Sequence, residues 1–225
     1  MWQITNDSDC TIVLFHETVA CLSWAPLGGG LRPRPCRAVL NWTVKTDATM
    51  TEDELLSCAR RRRDLVADAV GTAKKDCIVL ITTVPQEAGR QASSSASGLT
   101  ARAFCTAGLG NARACGEPPE RALAGMINLV VAVDAPLTGA AMLEAVSVIT
   151  IAKATAVLVA GLTAANGRPR LATGTDCVAL CCRRPRDGEE PWRCAGLGTD
   201  LGHVIAAAAH DAATAAVDTW LNRPY

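Results

Sequence analysis

The sequence predicts a single α/β (α+β) domain over residues 1–225, a mixed β-sheet covered by about three main helices. Three observations lead there. Short apolar runs at 77–81 and 126–133 have the length of strands buried on both faces. Longer helical stretches begin after Thr51, after Thr138 and near Gly202, the first two behind a threonine suited to an N-cap. No repeat and no composition shift divides the chain, and 225 residues suffice for one large domain.

Residues 11–16 and 20–24 read as two short strands, glycines 28–30 break the pattern, and 38–44 reads as a third strand. Asp53 and Glu54 follow Thr51 as acidic first-turn residues of a helix reaching about Gly71. Residues 85–98, rich in Ser, Ala, Gly and Gln, read as a flexible surface loop. Strands are expected at 101–106, at 126–133 and at 177–182. A long helix is expected from Thr138 to about Leu162, and an Ala-rich helix from about Gly202 to Leu221.

Composition excludes several classes. Twenty-two basic and 22 acidic residues give no net charge, so there is no electrostatic footprint for nucleic acid. The basic run 60–63 lies among Glu52, Asp53, Glu54, Asp64 and Asp68, at helical spacings that neutralise it. The start of the chain has neither a basic segment nor an apolar run of signal length. Together with eleven cysteines, an odd number, this predicts a reducing, cytoplasmic setting without a disulfide framework. No Cys-x-x-Cys pair occurs, and no metal site or cofactor is expected. Residues 140–162 are long enough to span a bilayer, but Glu144 and Lys153 interrupt them, so the stretch reads as a buried helix and not a membrane span. The oligomeric state is not encoded in any of these features.

Candidate chemistry sits where polar residues meet strand ends and glycine turns. Five places qualify: Trp24 to Gly30, with Asn41 downstream; Thr106 to Ala112; Asn128 and the stretch from Val133 to Thr138; Thr173 to Asp176; and Ala195 to Gly202. None has the spacing of a phosphate-binding loop or of a serine-nucleophile elbow. Asp134 and Asp176 are the expected paired carboxylates, one activating water and the other serving the leaving nitrogen. Lys153, mid-helix in apolar company, calls for a carboxylate partner, with Asp134 or Asp176 as candidates. Backbone N–H groups of Gly28, Gly29 and Gly30, or of Gly108 and Gly110, are candidate oxyanion donors. Asn41, Thr106, Asn111, Asn128, Thr173, Thr175, Gly198 and Thr199 are the expected substrate-binding positions.

In this order the segments 23–30, 39–41, 106–112, 127–138, 173–176 and 195–199 resemble the adenosylcobinamide amidohydrolase (CbiZ) family. The resemblance runs from about Thr11 to Ala213, with residues 127–138 and 173–176 its most specific parts. It implies a corrinoid substrate and cleavage of the amide that joins aminopropanol to the corrin ring, giving adenosylcobyric acid for cobalamin salvage. Two departures stand out: Ile151 where the family pattern leads one to expect Glu, and Trp42 where a polar residue is expected. If that glutamate is catalytic, the alternative is a non-catalytic corrinoid-binding protein with the same pocket.

Overall fold

The computed structural model describes residues 1–45, 50–118 and 125–222. Ten strands and three long helices follow one another as β1 (Trp2–Asp7), β2 (Cys10–Ser23), β3 (Gly30–Thr43), α1 (Glu52–Ala69), β4 (Cys77–Thr82), β5 (Arg90–Ala96), β6 (Leu99–Ala107), β7 (Ala112–Arg113), β8 (Ile127–Val133), α2 (Gly139–Val159), β9 (Ala172–Thr173), β10 (Cys177–Cys182) and α3 (Asp200–Asn222). The main sheet runs β4-β3-β2-β10-β8-β6-β5, with β1 paired to β2, and β7 and β9 form a separate two-stranded ladder. It is mixed, as expected: β3–β4 and β8–β10 are parallel and its other pairs antiparallel.

Side-chain alternation shows how the sheet is layered. On β8, Ile127, Leu129, Val131 and Val133 join the cluster formed with α2 and α3, whereas Val130 and Ala132 join a second cluster. That second cluster also holds Val39 of β3, Ile78 and Leu80 of β4 and Phe104 of β6. The β4-β3-β2 half therefore folds over the β10-β8-β6-β5 half. On its outer side, Leu40, Val79 and Ile81 pack against Ala59, Val66 and Ala67 of α1. The result is a helix–sheet–sheet–helix sandwich with an apolar layer between the sheet halves.

Local signals explain the helix starts. The Thr51 side chain accepts from the Glu54 N–H and the Glu54 carboxylate accepts from the Thr51 N–H, a capping box for α1. Thr138 Oγ1 accepts from the Ala141 N–H at the start of α2. That helix is long and apolar enough to cross a membrane. Its inner face instead lies in the core, and its lysine is paired there. Gly202, in the first turn of α3, lies so close to the 195–199 turn that an added Cβ would sit 1.9 Å from the Gly196 carbonyl oxygen. Gly202→Ala is therefore expected to cost about 1–3 kcal/mol. Thermal unfolding should record a Tm lowered by ~2–12 °C.

Several expectations need correction. Residues 11–16 and 20–23 belong to one long strand, β2, with a register shift between Leu14 and Val19, and Trp24 follows it in the turn to β3. Residues 85–98 are not a loop: a short 3-10 turn at Gln86–Ala88 leads into the edge strand β5. Its polar residues carry no apolar stripe to read. Backbone pairing to β6 and the small Ala92 and Ala96 packed against the helix-side cluster hold it in place. Strand β1 was also not expected; Trp2 and Ile4 anchor it, Trp2 edge-on to Phe15. The arginine run is neutralised mostly across the fold: Arg62 pairs with Asp7 and Asp9 in the first hairpin and Arg63 with Asp64.

Candidate active site

The starts of the parallel strands β8 and β10 form one edge of the sandwich, and Asp176 ties that edge together. Its Oδ1 accepts from the backbone N–H of Ile127 at 3.1 Å and of Thr173 at 3.2 Å. The Thr173 hydroxyl also donates to Oδ1. Its Oδ2 pairs with the ammonium of Lys153, which comes down from α2 and is only 4% exposed. Of the two carboxylates that could answer the buried lysine, the fold selects Asp176. A charge held in such a position needs a counter-charge, because taking an unpaired ion out of water is costly.

Beside Asp176 lies a cleft of about 300 Å³. Trp24 and Pro26 from the β2–β3 turn, Glu52, Leu55 and Leu56 from the start of α1, and Ile81 of β4 form one side. Met126, Thr175, Asp176 and Cys177 form the other. Trp24 is 49% exposed at the rim, and its indole N–H donates to the Asp176 carbonyl at 2.8 Å. Burial pushes the Cys177 thiol up to about 12, so it stays protonated near neutral pH and is no thiolate nucleophile.

Immediately behind the cleft floor, Asn41, Thr106 and Asn128 meet between the sheet halves. Asn128 Nδ2 donates to Asn41 Oδ1 at 2.8 Å and to the Ile81 carbonyl at 3.0 Å. Asn41 Nδ2 donates to Thr106 Oγ1 at 3.1 Å. All three are fully buried, and among the described residues Asn128 Oδ1 has no hydrogen-bond partner. A buried acceptor left unpaired is costly, and such exceptions concentrate where function needs them. Asn111 has a second unpaired buried Oδ1, close to Gly125, while its amide nitrogen faces Gly174 of the Thr173–Asp176 turn.

Not every expected residue reaches this edge. Asp134 follows the far end of β8, seven residues and roughly 20 Å of strand away from Asp176. There its Oδ1 accepts from the Thr100 N–H at 2.8 Å and its carbonyl accepts from Arg183 Nε. The two aspartates therefore do not form a pair. Gly198 and Thr199 also lie at the far end. Thr199 Oγ1 accepts from Gly202 N–H, and Glu144 holds the same turn through the Ala195 N–H. Gly28 and Gly29 are architectural: added Cβ atoms would meet the carbonyls of Cys77 at 2.8 Å and Ala25 at 2.4 Å. With Gly30 they shape the turn that delivers Trp24 and Pro26 to the cleft. The Gly108 N–H is already committed to the Met126 carbonyl.

Two further placements change the reading of the sequence. Glu52, passed over as a helix-start residue, lines the cleft together with Asp176. Only its N-terminal helix position was visible in sequence. Ile151 is 47% exposed, and two residues along a helix put it some 200° from the buried Lys153. A glutamate there would point away from the Lys153–Asp176 pair. Trp42 is accommodated by a hydrogen bond from its indole N–H to Asp9 Oδ2 at 3.0 Å.

A cleft at strand ends, lined by Glu52 and by the lysine-paired Asp176, has the elements of a hydrolytic site. The family comparison supplies the class: the chain belongs to the CbiZ, adenosylcobinamide amidohydrolase, family, whose model matches residues 2–225. It is accordingly a hydrolase acting on an amide bond. No curated protein matches it in sequence. Among solved structures it is similar to the PH0078 protein from Pyrococcus horikoshii OT3, at 15% identity and a TM-score of 0.51, covering 99% of this chain and 82% of that one. It also resembles a Burkholderia sp. beta-aminopeptidase, at 11% identity and a TM-score of 0.47, covering 95% of this chain and 78% of the other. The first likeness shows a shared fold.

Proposed function

We propose that this protein is an adenosylcobinamide amidohydrolase, cutting the amide between aminopropanol and the corrin propionyl arm to give adenosylcobyric acid for cobalamin salvage. The whole-chain family match carries this reading. The cleft accords with it. Some 300 Å³ is near the lower limit for a ligand pocket and holds a side-chain amide with its aminopropanol, not a macrocycle. The corrin ring then stays at the mouth, against Trp24, Leu55 and Leu56.

Amide hydrolysis needs an activated water, a stabilised oxyanion and a proton for the leaving amine. Glu52 is the general base in this reading, since the Asp176 carboxylate is already occupied by the Lys153, Ile127 and Thr173 donors. Asp176 and Lys153 hold the Thr173–Asp176 turn rigid, so that Thr175 presents its hydroxyl to the cleft. Lys153, Asn41, Asn111, Asn128 and Thr106 supply the polar environment behind the scissile bond. The non-catalytic alternative drew on Ile151 in place of a glutamate; a side chain there points away from the Lys153–Asp176 pair, which supports the catalytic reading.

The test is incubation of the reduced protein with adenosylcobinamide, with products identified by mass. Adenosylcobyric acid and aminopropanol in equal amounts are expected. Binding without turnover would overturn the proposal.

A further inference from the structure

The layer between the sheet halves contains a feature that amide hydrolysis does not use. Cys21 of β2, Cys36 of β3 and Cys181 of β10 converge there, their three Sγ atoms all within 4.8 Å of one another. Cys21 and Cys181 are direct cross-strand partners, and the register shifts of β2 against β3 bring Cys36 alongside. All three are essentially without exposure, in the same apolar cluster as Val19, Ala132 and Ala179. A single buried cysteine is an ordinary small hydrophobe. Three sulfurs from three adjacent strands aimed at one point are more than packing requires.

We propose that Cys21, Cys36 and Cys181 form a three-sulfur binding site for a soft monovalent cation, Cu(I). Thiolate sulfur selects Cu(I), zinc or iron–sulfur clusters over hard ions. Zinc and iron in such sites take four ligands, and among the described residues no fourth Cys, His, Asp or Glu joins the group. The side chains packed around the three sulfurs in this cluster are apolar. Three-coordinate Cu(I) is satisfied by the sulfurs alone. Each sulfur that ligates as thiolate releases one proton to solvent, and no electron is transferred.

The fold also provides an approach. Cys181 and Val19 form part of the wall of a cavity of about 580 Å³ at the far end of β8, away from the proposed active site. Met1, His16 and Glu17 line the same cavity, together with Arg102, Arg183 and Arg186.

The experiment uses the full chain carrying Cys58→Ser, Cys115→Ser and Cys194→Ser, which removes the thiols that are not buried. The reduced, metal-free protein is titrated with Cu(I) against a chromogenic Cu(I) chelator, and Zn(II) is titrated in parallel. One Cu(I) per chain is expected to be retained, with three sulfur neighbours in copper-edge X-ray absorption. Cys36→Ala and Cys181→Ala should each weaken retention by more than the ~10–100-fold that even an outer-layer substitution costs at a metal site. Circular dichroism verifies that the variants fold. Should either variant unfold, the sulfur count from absorption in the parent decides alone. Copper lost to the chelator, nitrogen or oxygen neighbours, equal retention by folded variants, or preferential retention of zinc would each overturn the proposal.

Discussion

Asp176→Asn is expected to destabilise the protein by about 3–5 kcal/mol, the usual cost of removing one partner from a buried ion pair. Both side chains of the Lys153–Asp176 pair are nearly inaccessible, so solvent does not screen the loss. The amide keeps the shape of the carboxylate and can still accept from Thr173 and Ile127. The deficit therefore isolates the uncompensated Lys153 ammonium. For a chain of this size, Tm should fall by ~6–20 °C. A second substitution, Lys153→Met, should recover part of the loss, because two apolar or neutral groups are cheaper to bury than one lone charge. Denaturant unfolding of the single and double variants measures this directly. A double variant no more stable than Asp176→Asn would show that the lysine is not the source of the loss.

Glu52→Gln is expected to do the opposite, leaving stability nearly intact while removing activity. Glu52 is exposed at the first position of α1, and the capping box belongs to Thr51 and Glu54. Losing one charge at a helix N-terminus costs about 0.3–1 kcal/mol. As the proposed general base, however, its removal should lower kcat by ~10²–10⁴-fold, with KM little changed. Steady-state hydrolysis of adenosylcobinamide alongside a melting curve separates the two effects. An unchanged kcat would dismiss Glu52 and leave Thr175 or an unassigned group to activate the nucleophile.

The contrast between these residues shows what was legible in the amino-acid sequence. Lys153 announced itself as a charge in an apolar helix, and the need for a counter-ion limited its partner to two aspartates. The choice between them depended on strand direction. Because β8 and β10 run parallel, the residue before β10 lies beside the start of β8, whereas Asp134 lies at its other end. Asn41, Thr106 and Asn128 were picked one by one from strand segments. That they touch follows from the folding of one sheet half over the other.

What the sequence by itself determined was local: the apolar runs of β4, β8 and β10, the threonine caps of α1 and α2, and the glycine-rich turns. Each depends on residues within a few positions of one another, where periodicity and side-chain-to-backbone hydrogen bonds decide the outcome. The tertiary structure alone decided the edge strand β5, the separation of Asp134 from Asp176, the entry of Glu52 into the cleft and the meeting of three cysteines. Strand β5 pairs with its immediate neighbour β6 but carries no apolar stripe to mark it; the others depend on how separate segments are brought together by sheet order and strand direction, and no local pattern carries that information.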